Sequence, residues 1–331
     1  MENYASSNLA NATAVAHPNI AFIKYWGNRD NRLRIPVNGS ISMNLAGLKT
    51  ETSVCFDKEL PADRIEINSK TATPAAAGRV SGHLDIIRQM AGIQTHAYIT
   101  SRNNFPMGSG IASSASAFAA LSLAASTAAG LALNPKDLSR LARRGSGSAC
   151  RSIPDGIAEW HAGTQDDDSY ADQLVNEKYW DLVDCLAITS ESHKPVGSSE
   201  GHILAVSSPL QQLRVTDAIR RINSCHQAII SRDFEAFSEI VEQDSNLMHS
   251  VMSTSQPNLR YWNVTTFAVL TATLELRRKG IEACYTVDAG PNVHVITLKS
   301  HIGTVERYLK HVIGVLRIVV APIGPGARLL G

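Results

Sequence analysis

The sequence has no Cys-x-x-Cys spacing, and its five cysteines (Cys55, Cys150, Cys185, Cys225 and Cys284) are scattered. That argues against a disulfide framework and a structural zinc site, and it fits buried thiols in a reducing compartment. A charge bias is also missing. Charged residues make up 18% of the 331 positions and the formal net charge is +1, so no global field draws the chain to nucleic acid or to an anionic membrane. Any anionic ligand has to be held by a local cluster. Met1 to Ala16 is polar, with no basic region leading into an apolar run, so it does not read as a secretory signal, and a cytoplasmic protein is expected. The long uncharged stretch from Ile111 to Leu133 is mostly Ala, Ser, Thr and Gly rather than Leu, Ile and Phe, which describes a buried helix better than a membrane span. No Gly-Lys-Ser/Thr closes a Walker-type phosphate loop. None of the 11 histidines shows metal-ligand spacing; His17, His202, His249 and His294, near motif segments, are expected in ordinary core or surface roles.

What is there is a chain long enough for two lobes, since single cores stop growing near ~250–300 residues. The front half alternates short strand-like runs with glycine-rich turns: Ile20 to Tyr25, Ser40 to Leu45, Thr52 to Phe56, Arg64 to Asn68 and His96 to Ser101. The back half is more helical, with apolar spacing over Val215 to Ser231, Asp233 to Val251 and Val264 to Lys279, followed by a strand-like Ala283 to Leu298. These patterns set an N-terminal lobe at 1–187 and a C-terminal lobe at 188–331.

Four segments carry possible chemistry, and each has an ordinary alternative. Pro106-Met-Gly-Ser-Gly-Ile-Ala-Ser-Ser114 opens a helix; small residues there let backbone N–H groups and the helix dipole meet a polyphosphate, or simply pack. Gly145-Ser-Gly-Ser-Ala-Cys-Arg151-Ser152 is an anion pocket with a guanidinium fork, or a turn with a surface arginine. Tyr285-Thr-Val-Asp288-Ala-Gly-Pro-Asn292 places an acid at a strand end, as a general base toward a hydroxyl or as a turn cap. Asn19-Ile-Ala-Phe-Ile-Lys24-Tyr-Trp-Gly-Asn28, with Asn38-Gly-Ser-Ile-Ser42 behind it, presents a lysine beside a glycine, for a phosphate or for nothing in particular.

In their order and spacing, these four segments resemble the mevalonate diphosphate decarboxylases of the GHMP kinase superfamily, nearly throughout the chain. The resemblance implies an α+β protein of two lobes with the active site in the cleft between them, usually a homodimer. It implies that ATP lies on Gly108, Ser109, Gly110, Ala112, Ser113 and Ser114, with Mg²⁺ bridging phosphate oxygens and Ser114 as its candidate protein ligand. Asp288 is then the base or orienting group at the C3 hydroxyl of a phosphorylated mevalonate, Lys24 its cationic neighbour, and Arg151 the holder of the substrate carboxylate. Tyr25, Asn28, Ser146, Gly147, Ser148 and Ser198 fall at the 5-phosphate end. No cofactor beyond ATP and Mg²⁺ is implied.

One departure bears on the substrate. Where most diphosphate-using relatives have a second lysine, this chain has Asn28, and Ser199 falls where some carry a basic residue. A charge-assisted contact is worth ~1.5–3 kcal/mol, so the expected substrate is mevalonate 5-phosphate, giving isopentenyl phosphate. The alternative is the ordinary diphosphate, with Arg29, Arg32 or Arg34 supplying the missing charge. A mevalonate 3-kinase and a non-catalytic ligand sensor on the same fold are further alternatives, both weakened by the presence of Asp288, Lys24 and Arg151.

Overall fold

The computed structural model describes residues 11–105, 113–192 and 196–331. Three main sheets carry the chain. The first runs in the order Arg328–Leu330, Asn11–Ala16, Thr50–Phe56, Ala97–Asn103, Arg64–Ile67, Lys70–Thr71. Its strands are antiparallel except where Arg64–Ile67 runs parallel to Ala97–Asn103. Thr50–Phe56 alternates buried and half-buried positions, as a strand with one covered face does. The helices Pro74–Ala91, Ser113–Ala128 and Pro135–Gly145 supply the cover, packing Leu84, Ile87, Phe118, Leu121 and Leu141 onto Val54, Ile65 and Ile99. The alanine-rich stretch is thus a buried helix of this layer, as its composition implies, and among the described residues no helix is long and apolar enough to cross a membrane.

The second sheet, Ala171–Val175, Ile157–Trp160, Ser40–Asn44, Asn19–Ile23, lies at the centre. All five residues of Asn19–Ile23 are buried. Ile20, Phe22 and Ile23 share one core with Phe234, Phe237, Ile240 and Val241 of the helix Phe234–Thr254 and with Leu182, Leu186, Cys284 and Ile296 of the third sheet. Coverage on both sides explains why this strand reads as a continuous apolar run. Its register against Ser40–Asn44 slips between Ala21 and Ile23; the extra residue re-aims the chain immediately before Lys24, a usual task of a bulge.

The third sheet, Ala283–Thr286, Val293–Leu298, Leu182–Ile188, Arg317–Pro322, is antiparallel. Its inner face joins the central core, while the helices Val264–Arg278 and Ile302–Lys310 cover the outer face. Leu182–Ile188, the strand in which the expected division at 187/188 falls, pairs with Val293–Leu298 and Arg317–Pro322. Two expectations are refined. The helix over 215–231 breaks at Asp217 into Gln211–Thr216 and Ala218–Ser231, where the Asp217 carboxylate accepts from Arg220 and Arg221. The strand-like 283–298 is a hairpin whose turn carries Asp288; Pro291 has no N–H for a ladder, and Gly290 N–H closes the turn on the Asp288 carbonyl at 2.7 Å.

Candidate active site

The centre of the site is a contact between residues far apart in sequence. Lys24 Nζ donates to Asp288 Oδ1 at 2.6 Å, with the lysine side chain 1% and the aspartate 28% exposed. The pair therefore opens to solvent on its carboxylate side. Both partners are held through their backbones. Lys24 N–H donates to Asp244 Oδ1 at 2.7 Å, and its carbonyl accepts from Asn38 Nδ2 and Arg214 Nη2. Around Asp288, Val287 N–H donates to Ser245 Oγ, His249 Nε2 donates to the Val287 carbonyl, and Asn292 Oδ1 accepts the N–H groups of Thr189 and Ser190. Burial pulls the Lys24 ammonium down from its usual value while Asp288 opposes that pull. Burial pushes Asp288 up, but the charges of Lys24, His294 and Arg151 outweigh it and hold the carboxyl below the usual carboxylate range. An ionised carboxylate next to a bound cation is a competent proton acceptor for a nearby hydroxyl.

Arg151 lies in the 3-10 helix Gly147–Ser152, 3% exposed. It donates from Nε to Ser42 Oγ (2.9 Å), from Nη1 to Ser40 Oγ (2.5 Å) and from Nη2 to Asn19 Oδ1 (3.1 Å), with Trp160 at 5.9 Å from Cζ to ring centroid. A guanidinium has five N–H donors, so two remain for an anion. The surface-arginine reading of this motif is excluded. Ser40, Ser42 and Asn19 were not expected here; Ser40 and Ser42 sit two apart on one strand and so share a face, which is the signal that could have found them.

At the other end of the site, the Tyr25 hydroxyl donates to Asn28 Oδ1 at 2.5 Å, and burial pushes that hydroxyl up. Its ring stacks on His202 at 4.0 Å and meets Trp160 edge-on at 4.7 Å. His202 Nδ1 accepts from Gly27 N–H at 3.0 Å, so the short helix Ser198–Leu204 is fastened to the Tyr25 segment. His202 thus packs between segments of the site, a structural role of the kind expected for it. Gly147 abuts the Tyr25 ring: a Cβ there would lie 2.5 Å from it. Gly145 is equally confined, by Phe118. The buried Ser146 has its Oγ 3.2 Å from Ser114 Oγ at the start of Ser113–Ala128, and the Ser148 carbonyl accepts from Asn19 Nδ2. Ser113 is half-buried in that first turn, and Ser198 is exposed. Gly108, Ser109, Gly110 and Ala112 lie outside the described residues.

Three arginines that the motifs do not mark gather at the end of Pro135–Gly145. Arg34 Nε donates to the Arg144 carbonyl and Arg79 Nη2 to the Gly145 carbonyl. The Arg34 charge bears on Tyr25, Arg79 and His83, and that of Arg144 on His83. Among the described residues, none of the three makes an ion pair with a carboxylate. Cations without a carboxylate in direct contact, although the Arg144 charge also bears on Asp166, suit a bound anion beside Ser146 and Tyr25.

The chain also resembles known proteins along most of its length. Residues 16–171 match a family model described as the diphosphomevalonate decarboxylase-like N-terminal domain, and residues 185–319 match the mevalonate 5-diphosphate decarboxylase C-terminal domain. Diphosphomevalonate decarboxylase of Ganoderma lucidum is 36% identical over 88% of this chain and 79% of its own length, and that of Candida albicans is 33% identical over 96% and 97%. The crystal structure of mevalonate diphosphate decarboxylase from Staphylococcus aureus superposes with a TM-score of 0.93 at 35% identity, covering 97% of this chain and 98% of that one. A structure described as MDDEF in complex with MVAPP, AMPPCP and magnesium gives 0.92 at 35% identity with the same coverage. The buried Lys24–Asp288 pair and the anchored Arg151 thus sit in a fold shared along almost the whole chain, which belongs to the diphosphomevalonate decarboxylase family of the GHMP kinase superfamily.

Proposed function

We propose that this protein decarboxylates a 5-phosphorylated mevalonate at the expense of ATP, and that the substrate is mevalonate 5-phosphate, converted to isopentenyl phosphate, carbon dioxide, ADP and phosphate. The observation that carries the decarboxylase reading is the Lys24–Asp288 pair, buried on one side and open on the other, with Arg151 behind it. Asp288 accepts the proton of the C3 hydroxyl as that oxygen takes the γ-phosphoryl group. Lys24 balances charge between the carboxylate and the transferring phosphate, and Arg151 offers its two spare N–H donors to the substrate carboxylate. Catalysis of such a transfer is mostly positioning and charge stabilisation. The C3–O bond then breaks with phosphate leaving, and the electrons of the carboxylate C–C bond form the new double bond as carbon dioxide departs. The proton taken by Asp288 passes to the departing phosphate, and the carboxylate so restored, fixed beside C3, stabilises the positive charge that builds there.

ATP and Mg²⁺ are what such a site takes. The hydroxyl oxygens of Ser114 and Ser146 are suited to a hard cation and would hold it beside the ATP phosphates. Among the described residues no cluster of His, Cys, Asp or Glu competes for a metal. Bound Mg²⁺ supplies neutralisation of the polyphosphate charge. Gly108, Ser109, Gly110, Ala112 and Ser113 are proposed to line the ATP phosphates, and Tyr25, Asn28, Ser146, Gly147, Ser148 and Ser198 the 5-phosphate.

The monophosphate assignment rests on Asn28, a neutral side chain occupied with Tyr25 and Asn31, and on the start of Ser198–Leu204, which presents Ser199 and Glu200 rather than a cation. A second reading, the diphosphate, is favoured by the names of the relatives and by the three arginines, of which Arg34 lies nearest in sequence to Asn28. Measuring kcat/KM for both substrates with ATP decides between them: a tenfold or greater preference for mevalonate 5-phosphate is expected, and an equal preference for the diphosphate overturns it. Carbon dioxide released in step with ADP separates either from a 3-kinase.

A further inference from the structure

After Ile23 the central strand leaves its sheet, and residues 24–27 belong to no strand. Lys24 is nonetheless 1% exposed, so its peptide groups need partners that the ladder no longer gives. Side chains take that place. The Lys24 N–H donates to Asp244 Oδ1 at 2.7 Å, and its carbonyl accepts from Arg214 Nη2 at 2.7 Å and from Asn38 Nδ2 at 3.0 Å. The other arm of the same guanidinium, Nη1, donates to the Trp26 carbonyl at 3.3 Å, which also accepts from Gln211 Nε2 at 2.9 Å. Arg214 thus spans Tyr25, whose ring lies on His202 and Trp160.

This bracket is itself held. Asp244 Oδ2 accepts from Arg221 Nε at 2.7 Å, and Arg221 Nη2 donates to the Arg214 carbonyl at 2.8 Å. Arg221 Nη1 reaches Asp217 Oδ2 at 2.7 Å, at the break between Gln211–Thr216 and Ala218–Ser231. The side chains of Arg214, Arg221 and Asp244 are at most 1% exposed. Satisfying two peptide groups does not require so much: the neutral amide of Asn38 already serves the carbonyl, and burying charge is costly even when it is paired. What a charged bracket adds is stiffness, because charge-assisted bonds are roughly twice as strong as neutral ones and a planar fork fixes the spacing of the two carbonyls it grips. Lys24 has a use for that stiffness. Its flexible stem is aimed no better than the main chain that carries it, and its ammonium has to meet both Asp288, at 2.6 Å, and a phosphoryl group in transit.

We propose that Arg214 and Asp244 are positioning residues for Lys24: they grip its carbonyl and its N–H, and so aim the ammonium at Asp288 and at the transferring phosphate. The inference rests on the role given to Lys24 above, and its test reads Lys24 with and without turnover.

Asp244→Asn keeps an oxygen for the Lys24 N–H and removes the charge; kcat is expected to fall about tenfold with KM changed less than twofold. Arg214→Lys keeps the charge and gives up the fork; kcat is expected to fall as far, and KM to rise as well, because the Trp26 carbonyl beside Tyr25 is released. Folded variants with wild-type kcat, the result if the two residues only satisfied buried peptide groups, overturn the proposal. In the substrate-free protein the ¹⁵N resonance of the Lys24 ammonium is expected to shift in both variants, whatever substrate the enzyme takes, and an unmoved resonance also overturns it. Amide hydrogen exchange in the wild type needs no variant to fold. Lys24 N–H is expected to exchange as slowly as the amides of Asn19–Ile23 that pair with Ser40–Asn44; exchange as fast as in an exposed loop overturns the proposal. Failure of the wild-type protein to release carbon dioxide would count against the functional reading alone.

Discussion

The two ends of the site hold charge in different ways. At the inner end, Lys24 and Arg151 are nearly inaccessible, and the Arg151 guanidinium is fixed by three side chains from two strands. At the outer end, Arg34 and Arg144 are half-buried and Arg79 is exposed, and the contacts of Arg34 and Arg79 are to carbonyls at a helix end. The first arrangement is set before substrate arrives. The second is an anion-attracting rim whose members can shift, because basic side chains at a helix C-terminus are stabilised by the dipole over a range of positions. In the proposed reaction, chemistry at C3 and the carboxylate needs fixed geometry, whereas the 5-phosphate needs charge more than exact placement.

That contrast orders the expected effects. Asp288→Asn leaves the ammonium of Lys24 buried without its counter-charge and removes the proton acceptor; kcat is expected to drop by about a thousandfold or more, and near-normal turnover of the folded variant would take Asp288 out of the mechanism. Arg151→Lys keeps the charge but gives up the planar fork shared by Ser40, Ser42 and Asn19, and a fall in kcat/KM of about a hundredfold is expected from charged contacts worth ~1.5–3 kcal/mol each. If the lysine variant were nearly as active, the idea of a rigid inner end would fail. Arg34→Gln tests the rim. A loss of about tenfold, mainly in KM and reduced further by added salt, is expected, and an effect as large as that of Arg151→Lys would erase the distinction.

The effect that is smallest near neutral pH concerns stability at the rim. His83 lies below Arg144 and Arg34, hydrogen-bonded to Ser122 Oγ, and burial followed by those two charges pushes it down to about 3. Its ordinary value is 6.5, so the unfolded chain binds a proton that the folded protein refuses. This contribution is complete above pH 6.5 and is lost as the pH falls from there toward about 3, by at most about 1.4 kcal/mol per pH unit. Thermal denaturation of His83→Gln should accordingly show a flatter loss of Tm over that interval than the wild type; parallel curves would refute it.

Local pattern made some of this legible and could not reach the rest. The run from Asn19 to Ile23 and the alternation around Thr50–Phe56 are visible because burial on two faces or on one leaves a period in the sequence. That Lys24, Asp288 and Arg151 share a site came from likeness to a family, because nothing local relates residues so far apart. The grip of Ser40 and Ser42 on Arg151 was open to a period-two argument. The acid in Leu-Val-Asp184-Cys-Leu and the histidine in Val-His294-Val are each anomalous in an apolar strand, yet only the register shows that they are partners. Arg34 was legible only as one of three arginines able to supply a missing charge, and Arg79 and Arg144 had no mark; they come from separate segments, and only folding brings their charges to one helix end.

The Lys24–Asp288 contact joins residues 264 positions apart, and this has a consequence for the protein as it is being made. During synthesis, N-terminal parts of a chain fold first. The strand ending at Lys24 emerges early, but closing it into the core before Asp288 arrives would bury a lone ammonium, at a cost of about 3–5 kcal/mol. The nascent chain is thereby discouraged from completing its N-terminal half on its own, and a truncated product lacking the Asp288 turn would be an unstable protein rather than a partly active one.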